Sequence, residues 1–265
     1  MPPSRSKACS KWPDRHPVPG LDWLIARPVA HRGLHDAGAG VIENTPSAFA
    51  AAAAANYAIE CDLQISADGE AMVHHDDALG RLTDGSGRLD QMTSAELRRV
   101  AFKATADRMI SVGELCDLVA GRVTLVIELK RGRAGDRRLA ERAAAVLSAY
   151  AGPAAVMSFD PEQIVPLRTS ASRVPRGIVA EGGSGHLALE PIFDRARQAW
   201  THGRGALRAQ PQFIAYSVKD LPAALPLAAR HFFGLPLLTW TVRSIADRER
   251  ATRWADQMIF EGFRP

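Results

Sequence analysis

The chain has 265 residues and a formal net charge of +4, with 46% hydrophobic and 23% charged residues. This length fits one large α/β domain or two small ones, and the composition is ordinary for a globular protein. Lysines and arginines are scattered without interleaved aromatic residues, so we expect no nucleic-acid partner. No stretch of about 18 apolar residues predicts a membrane span, and the N-terminus lacks the apolar core of a secretory signal.

The three cysteines, Cys9, Cys61 and Cys116, are odd in number and form no CxxC pair. They argue against a disulfide framework and a zinc ribbon and are typical of a reducing cytosol, so we expect a cytoplasmic protein. Residues 1–20 are rich in proline and predict a poorly ordered arm ahead of the folded domain, which we expect to span residues 21–265.

Strand and helix signals then alternate along the chain. The first clear helix is predicted over residues 43–57, where Asn44 or Thr45 can cap the helix and Pro46 suits its first turn. Residues 123–130 are almost continuously apolar and β-branched, which is typical of a strand buried on both faces of a parallel sheet. Further helices are predicted over residues 93–100, 111–122 and 191–202, and strands near residues 29, 60, 126, 156, 178, 214, 238 and 259.

Alternation of strands and helices implies parallel strands joined by right-handed crossovers. Eight such units predict a single (β/α)₈ barrel, a TIM barrel, with a short insertion between the second and third strands. An open doubly wound sheet is the alternative, although no GxGxxG motif follows the first strand, which weakens its dinucleotide-binding version. We see no linker that would divide the chain in two.

Charged and imidazole side chains fall at the ends of the early strands, where a barrel builds its site. A period of two places Glu60 and Asp62 on one face of the second strand and Cys61 on the other. Three carboxylates at one mouth repel one another unless a cation compensates, and oxygen ligands favour Mg²⁺ or Ca²⁺ over zinc. The side chains concerned are His31, Arg32, Glu60, Asp62, His75, Glu128 and Lys130.

Each of these residues also has an ordinary structural interpretation. A strand carboxylate is commonly half of an ion pair, His31 alone can be a structural histidine, and Arg32 can simply pair with Glu43. Of the two adjacent histidines, His74 should point away from His75 in an extended segment, and we interpret His74 as structural. The convergence of acidic and imidazole groups at neighbouring strand ends favours a functional site.

The motifs in this order resemble the glycerophosphodiester phosphodiesterase family. The matches are strong in the first half of the chain, whereas the second half matches mainly in the spacing of its strands. The segments that carry the resemblance are "AHRG" at 30–33, "ENT" at 43–45, "IECDLQISADG" at 59–69, "HHDDALGRLTDGSG" at 74–87, "ISVGELCDLV" at 110–119, "VIELK" at 126–130 and "LLTWTVR" at 237–243.

The resemblance implies a (β/α)₈ barrel that hydrolyses small glycerophosphodiesters to glycerol 3-phosphate and an alcohol with the help of one divalent cation. The family's catalytic histidine pair matches His31 and His75. The family's metal ligands match Glu60, Asp62 and Glu128. Residues that match the substrate side of the site are Arg32 and Lys130 near the phosphate, Glu43 and Asn44 at the edge of the site, and Trp240 in the late strand.

The chain also departs from the family pattern. The first loop, "LHDAGAGVIENT", lacks the proline that often precedes the Glu-Asn-Thr motif, and Glu261-Gly262 stand where many members show an aspartate. These departures concern the outer pocket and therefore the choice of alcohol.

Two rival functions remain open from the sequence. One is a lipid-directed phosphodiesterase of the lysophospholipase D or sphingomyelinase D type, which would need an exposed apolar rim such as Phe232–Phe233 or Trp200. The other is a non-catalytic barrel that binds a phosphate ligand. A binding protein has no need for an acid–base pair, which argues against this second rival.

Overall fold

The computed structural model of the chain describes residues 20–182, 205 and 208–265. The helix predicted over residues 191–202, and the predicted arm apart from Gly20, lie outside these residues. Within the described part of the chain, the predicted alternation of strands and helices is present.

Nine strands of the described residues form one sheet. In chain order they are β1 (Val29–Ala30), β2 (Ala58–Ile65), β3 (Ala71–Val73), β4 (Leu125–Leu129), β5 (Ala154–Ser158), β6 (Arg176–Ala180), β7 (Phe213–Ser217), β8 (Leu237–Val242) and β9 (Gln257–Phe260). Strand β1 pairs in parallel with both β2 and β9, so the sheet closes on itself. Strand β3 pairs antiparallel with β2, and the other eight strands form the closed parallel barrel that the sequence predicts.

Helices connect the barrel strands around the outside of the sheet. Those in the described residues are α1 (Asp22–Ile25), α2 (Pro46–Ala54), α3 (Ser94–Arg99), α4 (Val112–Val119), α5 (Arg138–Ala149), α6 (Pro161–Ile164), α7 (Leu167–Ser170), α8 (Ala224–Phe232) and α9 (Ile245–Trp254). Each of the predicted helices at residues 43–57, 93–100 and 111–122 is present, with shorter bounds than the prediction.

The starts of α3 and α4 follow from local sequence. The side chains of Thr93 and Ser111 each accept a hydrogen bond from the backbone N–H three residues later. The glutamate at that later position in turn accepts a bond from the backbone N–H of the cap residue, so each helix start has a capping box. The start of α2 differs from the prediction. Thr45 occupies its N-cap but donates its hydroxyl to the carbonyl of Ile42, and the Asn44 side chain bonds Asp62 in the site.

The period of two along each strand separates two apolar layers. In β2, Cys61 and Leu63 face outward and pack with the surrounding helices, whereas Ala58 lies in the interior of the barrel. Leu24 of α1 belongs to the interior cluster as well, so this short helix closes one end of the barrel. Glu60 and Asp62 therefore share the inward face of β2 with Ala58.

The expected insertion lies between β2 and β4. It contains β3, α3 and α4, and several of its apolar side chains form, with Ile42 of the loop after β1, a cluster separate from the two barrel layers. The buried members of this cluster are Ile42, Met72, Leu79, Leu89, Leu97, Phe102 and Met109.

Candidate active site

Three carboxylates meet at the carboxyl ends of β2 and β4. Glu60 and Asp62 lie on the inward face of β2, and the parallel register places Glu128 of β4 directly beside Asp62. All three are buried, with 2%, 1% and 8% of their surface exposed. One oxygen of each lies within 4.8 Å of the others, and the set is one that could hold a metal ion.

The three carboxylates do not ionise equally. Burial, together with the neighbouring carboxylates, raises the pKa of Glu60 well above its usual value. Burial and Asp62 likewise raise the pKa of Glu128 to about 7. Burial acts in the same direction on Asp62, but Lys130 and Arg32 outweigh it and hold the pKa of that carboxyl well below normal. The cluster thus contains more acidic groups than the surrounding cations neutralise.

This electrostatic imbalance and the donor set fit a divalent cation. Carboxylate oxygens are hard ligands that suit Mg²⁺ and Ca²⁺. A cation among the three carboxylates would favour their ionised forms, because its positive charge offsets the cost of burying negative charge away from water.

Two basic side chains border the cluster. Lys130 places its Nζ 2.9 Å from Asp62 Oδ1 and 2.8 Å from Glu128 Oε1. Arg32 donates its backbone N–H to Glu60 Oε2 at 2.9 Å, and its Nε lies 3.3 Å from Asp62 Oδ2. Both cations are mostly buried, with 17% of each side chain exposed.

The loop after β1 is built around left-handed backbone conformations. Arg32 and Asn44 have φ angles of 56°, and Gly33 has a φ of 81°. A Cβ at Gly33 would lie 2.8 Å from the Ala48 side chain, so only glycine fits there. The loop brings Asn44 onto Asp62, to which its Nδ2 donates at 2.8 Å while its Oδ1 accepts from the Asp62 backbone N–H at 3.2 Å.

His31 follows β1 directly and lies against the cluster. Its Nε2 is 3.9 Å from Glu60 Oε2, and its Nδ1 is 2.7 Å from Glu261 Oε2. Burial lowers the pKa of His31, partly offset by the hydrogen bond to Glu261. The ring therefore has one nitrogen toward the carboxylate cluster and the other toward a carboxylate beyond β9.

His75 lies two residues after the end of β3 and is more exposed than His31, with 32% of its side chain accessible. Its Nδ1 bonds Asp76 Oδ1 at 2.8 Å, and Arg81 Nε donates to Asp76 Oδ2 at 2.6 Å. Arg81 also donates to Glu43, which accepts from Arg32 as well. His75 also acts to lower the pKa of Asp62, so its charge reaches the carboxylate cluster.

His74 lies apart from this network. Only 1% of its surface is exposed, and its ring packs near Phe102, with ring centroids 6.4 Å apart. This placement agrees with its interpretation as a structural residue.

Trp240 lies in β8 and packs against the interior apolar layer of the barrel. Its ring meets Phe159 edge to face, with centroids 5.4 Å apart, and its buried indole Nε1 has no hydrogen-bond partner among the described residues. Phe159 follows β5 directly and is 39% exposed. These two rings form an aromatic pair between β8 and the residue that follows β5.

Two residues that contact the site were not predicted from the sequence. Glu261 bonds His31, and Arg81 bonds both Asp76 and Glu43. The position of Glu261, directly after the last barrel strand, is itself the signal that could have identified it. Arg81 lies in a loop, where no periodic pattern indicates its direction.

A closed barrel with acidic, basic and imidazole side chains at the carboxyl ends of its strands has the architecture of a TIM-barrel enzyme. The glycerophosphoryl diester phosphodiesterase family model matches residues 31–263, and the chain belongs to this family.

Relatives and solved structures agree with this membership. The chain is 42% identical over 74 residues to bovine glycerophosphodiester phosphodiesterase 1, and 32% identical over 112 residues to a glycerophosphodiester phosphodiesterase of Caldanaerobacter subterraneus. These matches cover 27% and 39% of this chain and 21% and 45% of those proteins, so the chain aligns with less than half of either.

Solved structures match over a greater length. A protein assigned to the glycerophosphoryl diester phosphodiesterases in Silicibacter pomeroyi superposes with a TM-score of 0.70 at 25% identity, over 91% of this chain and 93% of that one. An Oleispira antarctica phosphodiesterase in complex with its product sn-glycerol-3-phosphate also gives a TM-score of 0.70, at 18% identity over 88% and 91% of the chains. The second likeness shows the shared fold.

Proposed function

We propose that the chain is a metal-dependent phosphodiesterase that hydrolyses glycerophosphodiesters to glycerol 3-phosphate and an alcohol. The observation that carries this proposal is the convergence of Glu60, Asp62 and Glu128 beside His31 at one end of the barrel. Family membership and the product named for the Oleispira structure support the choice of substrate.

The basic residues are suited to bind the phosphodiester. Its single negative charge needs cationic partners, and more charge develops on the phosphoryl oxygens as the reaction proceeds. Arg32 offers a planar guanidinium that can form paired hydrogen bonds, and Lys130 offers a compact charge. Both already lie among the carboxylates, which hold them in place before substrate binds. We assign Glu43 and Asn44 to the support of this arrangement, since they bond Arg32 and Asp62.

Glu60, Asp62 and Glu128 would hold one divalent cation, either Mg²⁺ or Ca²⁺. When bound there, it acts as a Lewis acid that stabilises charge on a phosphoryl oxygen. The three carboxylates are fixed for this role by β2 and β4, and Asp62 is fixed further by Asn44.

The two histidines supply proton transfer, which we assign to His31 and His75 jointly. One imidazole takes a proton from the attacking oxygen, which belongs to water or to a glycerol hydroxyl. In the second case a cyclic phosphate forms first, and attack by water then opens it to glycerol 3-phosphate. The other imidazole gives a proton to the oxygen of the departing alcohol as its bond to phosphorus breaks. Imidazoles titrate near neutral pH and suit both roles, and such help contributes typically about 10²–10⁴-fold.

The test is the release of glycerol 3-phosphate from glycerophosphocholine and glycerophosphoethanolamine. We expect EDTA to abolish the reaction and Mg²⁺ or Ca²⁺ to restore it. Full activity in excess EDTA would overturn the metal requirement. Wild-type rates for both His31→Ala and His75→Ala would overturn the proton-transfer roles.

The lipid-directed alternative finds less support in the positions of apolar side chains. Phe232 and Phe233 are exposed, at 77% and 74%, but they end a helix that leads into β8 and so lie at the end of the barrel opposite the site. Leu225 and Ile245 are exposed near the starts of helices on the mouth side. Exposed single apolar side chains are common on protein surfaces.

Membrane contact can be tested directly. The described part of the chain contains no helix of the length and apolar character that a membrane span requires. We expect the protein to stay in the supernatant when it is sedimented with phosphatidylcholine vesicles. Pelleting with vesicles, together with faster hydrolysis of lysophosphatidylcholine than of glycerophosphocholine, would favour the lipid-directed function.

The cytoplasmic location belongs to the same proposal, and the buried free thiols of Cys61 and Cys116 support it.

A further inference from the structure

We propose that Glu261, itself held by Arg243, is a positioning residue for His31. It accepts a hydrogen bond from His31 Nδ1–H and thereby directs the bare Nε2 of the ring toward the carboxylate cluster. The catalytic role of this contact rests on the proposed function, whereas the tautomer of His31 rests on the geometry alone.

The two nitrogens of His31 have different surroundings. Nδ1 lies 2.7 Å from Glu261 Oε2, a hydrogen-bond distance, whereas Nε2 lies 3.9 Å from Glu60 Oε2. An ionised carboxylate can only accept, so Nδ1 must carry the proton in this bond. A neutral imidazole carries one proton, and Nε2 is then left as the acceptor. That nitrogen is the one that faces the site.

Glu261 is itself fixed on both sides. Its backbone N–H donates to the carbonyl of Val242 at 3.0 Å, and Arg243 Nη2 donates to Oε2 at 3.0 Å. The hydrogen bond with His31 and the nearby Arg243 keep the pKa of Glu261 at about 2, although burial opposes this, so the group is an anion at neutral pH. His31 in turn donates its backbone N–H to the carbonyl of Phe260 at 2.9 Å. The histidine and its acceptor are therefore tied to the same strand end.

The same arrangement occurs at the second histidine. His75 Nδ1 bonds Asp76, and Arg81 bonds that carboxylate through two of its nitrogens. Each of the two imidazoles is thus bonded at Nδ1 to a carboxylate that is bonded to an arginine. At His75 the carboxylate is the next residue in the chain, but at His31 it comes from a residue 230 positions later. Independent chain segments produce one pattern, which is difficult to explain by packing alone.

The experiment compares the full chain with Glu261→Ala, Glu261→Gln and a matched control, Glu162→Ala. Glu162 also accepts a bond from an arginine, Arg208, at 2.7 Å, but it bonds no histidine in the described part of the chain. In the glutamine variant both neighbours of the side chain are donors, so its carbonyl oxygen should take the place of Oε2.

The first measurement is the tautomer of His31. Long-range ¹H–¹⁵N spectra of protein labelled with ¹⁵N-histidine distinguish protonated from bare ring nitrogens, at pH about 8.5 where ordinary imidazoles are neutral. The spectrum of His31→Gln identifies the His31 signals among the eight histidines. We expect Nδ1–H in the wild type, in Glu261→Gln and in Glu162→Ala. We expect Nε2–H, the form that histidine prefers in water, in Glu261→Ala.

The second measurement is the kinetics of glycerophosphodiester hydrolysis. We expect Glu261→Ala to lower kcat about 10- to 100-fold with little change in KM, in the range typical of partners that orient a functional imidazole. Glu261→Gln should recover most of that loss, and Glu162→Ala should match the wild type. An Nε2–H tautomer in the wild type, or an unchanged tautomer in folded Glu261→Ala, would overturn the inference. The spectra decide this even if no glycerophosphodiester is hydrolysed, an outcome that would count against the proposed function alone.

Discussion

The two halves of the barrel differ in what they present to its interior. In the first half, β2 and β4 direct Glu60, Asp62 and Glu128 inward near the mouth. In the second half, apolar side chains of β5 to β9 dominate the interior cluster, and Trp240, which packs against that cluster, meets Phe159. Those that belong to the interior cluster include Ala155, Met157, Val179, Phe213, Ala215 and Leu238.

This difference divides the proposed reaction between two regions. The charged half can neutralise the phosphate and carry the chemistry that every glycerophosphodiester shares. The apolar half can contact the part of the substrate that varies from one alcohol to another. If so, changes in the first half should lower turnover for all substrates, and changes in the second should alter which substrate is preferred.

The largest effect is expected from Asp62→Asn. This change removes the one carboxylate of the cluster that Lys130 and Arg32 keep ionised despite its burial, and it places an amide against Lys130 Nζ. We expect kcat/KM to fall by more than about 10³-fold for every glycerophosphodiester tested. Isothermal titration should also show weaker binding of Mg²⁺ or Ca²⁺.

The control for this change is Asp117→Asn, which alters an exposed carboxylate of α4. It should leave both measurements unchanged. Comparable losses in the two variants would mean that general charge, and not the cluster, is responsible.

The next effect separates the adjacent histidines. His75→Ala should lower kcat about 10²-fold or more because it removes one proton-transfer group. His74→Ala should leave kcat within about twofold and instead reduce the free energy of unfolding by about 1–3 kcal/mol, because it empties a buried position beside Phe102. Kinetics and urea unfolding of both variants measure these outcomes. A loss of turnover in His74→Ala but not in His75→Ala would instead assign proton transfer to His74.

A smaller and more selective effect is expected from Trp240→Ala. Loss of the indole removes apolar contact on the side of the site assigned to the alcohol, while the carboxylate cluster is untouched. We expect the ratio of kcat/KM between glycerophosphocholine and glycerophosphoethanolamine to change by about tenfold, the order that one apolar contact provides. Equal losses for both substrates would contradict the division between the halves.

The smallest effect concerns the scaffold of the charged half. Thr93→Ala breaks the capping box of α3, in the insertion between β2 and β4. We expect a loss of about 1 kcal/mol in the free energy of unfolding with no change in kcat. Denaturant unfolding and steady-state kinetics on one preparation check this, and a large fall in kcat would show that the insertion contributes to the site.

Much of this arrangement could be predicted from the sequence because its signals are local or follow from the fold class. Each barrel strand has a short apolar run, and the period of two in β2 places Glu60 and Asp62 on the inward face. Once a barrel is assumed, the rule that its sites lie at strand carboxyl ends brings Glu128 and His31 to the same place.

The parts that were missed depend on contacts that no local pattern encodes. His31 and Glu261 are 230 positions apart, and their bond exists only because β1 pairs with β9. Arg81 is directed by an irregular loop toward Asp76 and Glu43. Asn44 looked like a helix cap because of its position, but the buried Asp62 offers its amide a stronger, charged acceptor.

The pairing of β1 with β9 has a consequence for how the protein is made. A chain leaves the ribosome from its N-terminus, so His31 emerges well before Glu261, which lies 230 positions later. The carboxylate cluster of β2 and β4 can assemble while synthesis continues, but His31 acquires its acceptor only when the final strand docks. We therefore expect full turnover only after β9 has paired with β1 and closed the barrel. Until then, Nδ1 of His31 lacks its carboxylate partner, and the tautomer of the ring is not fixed.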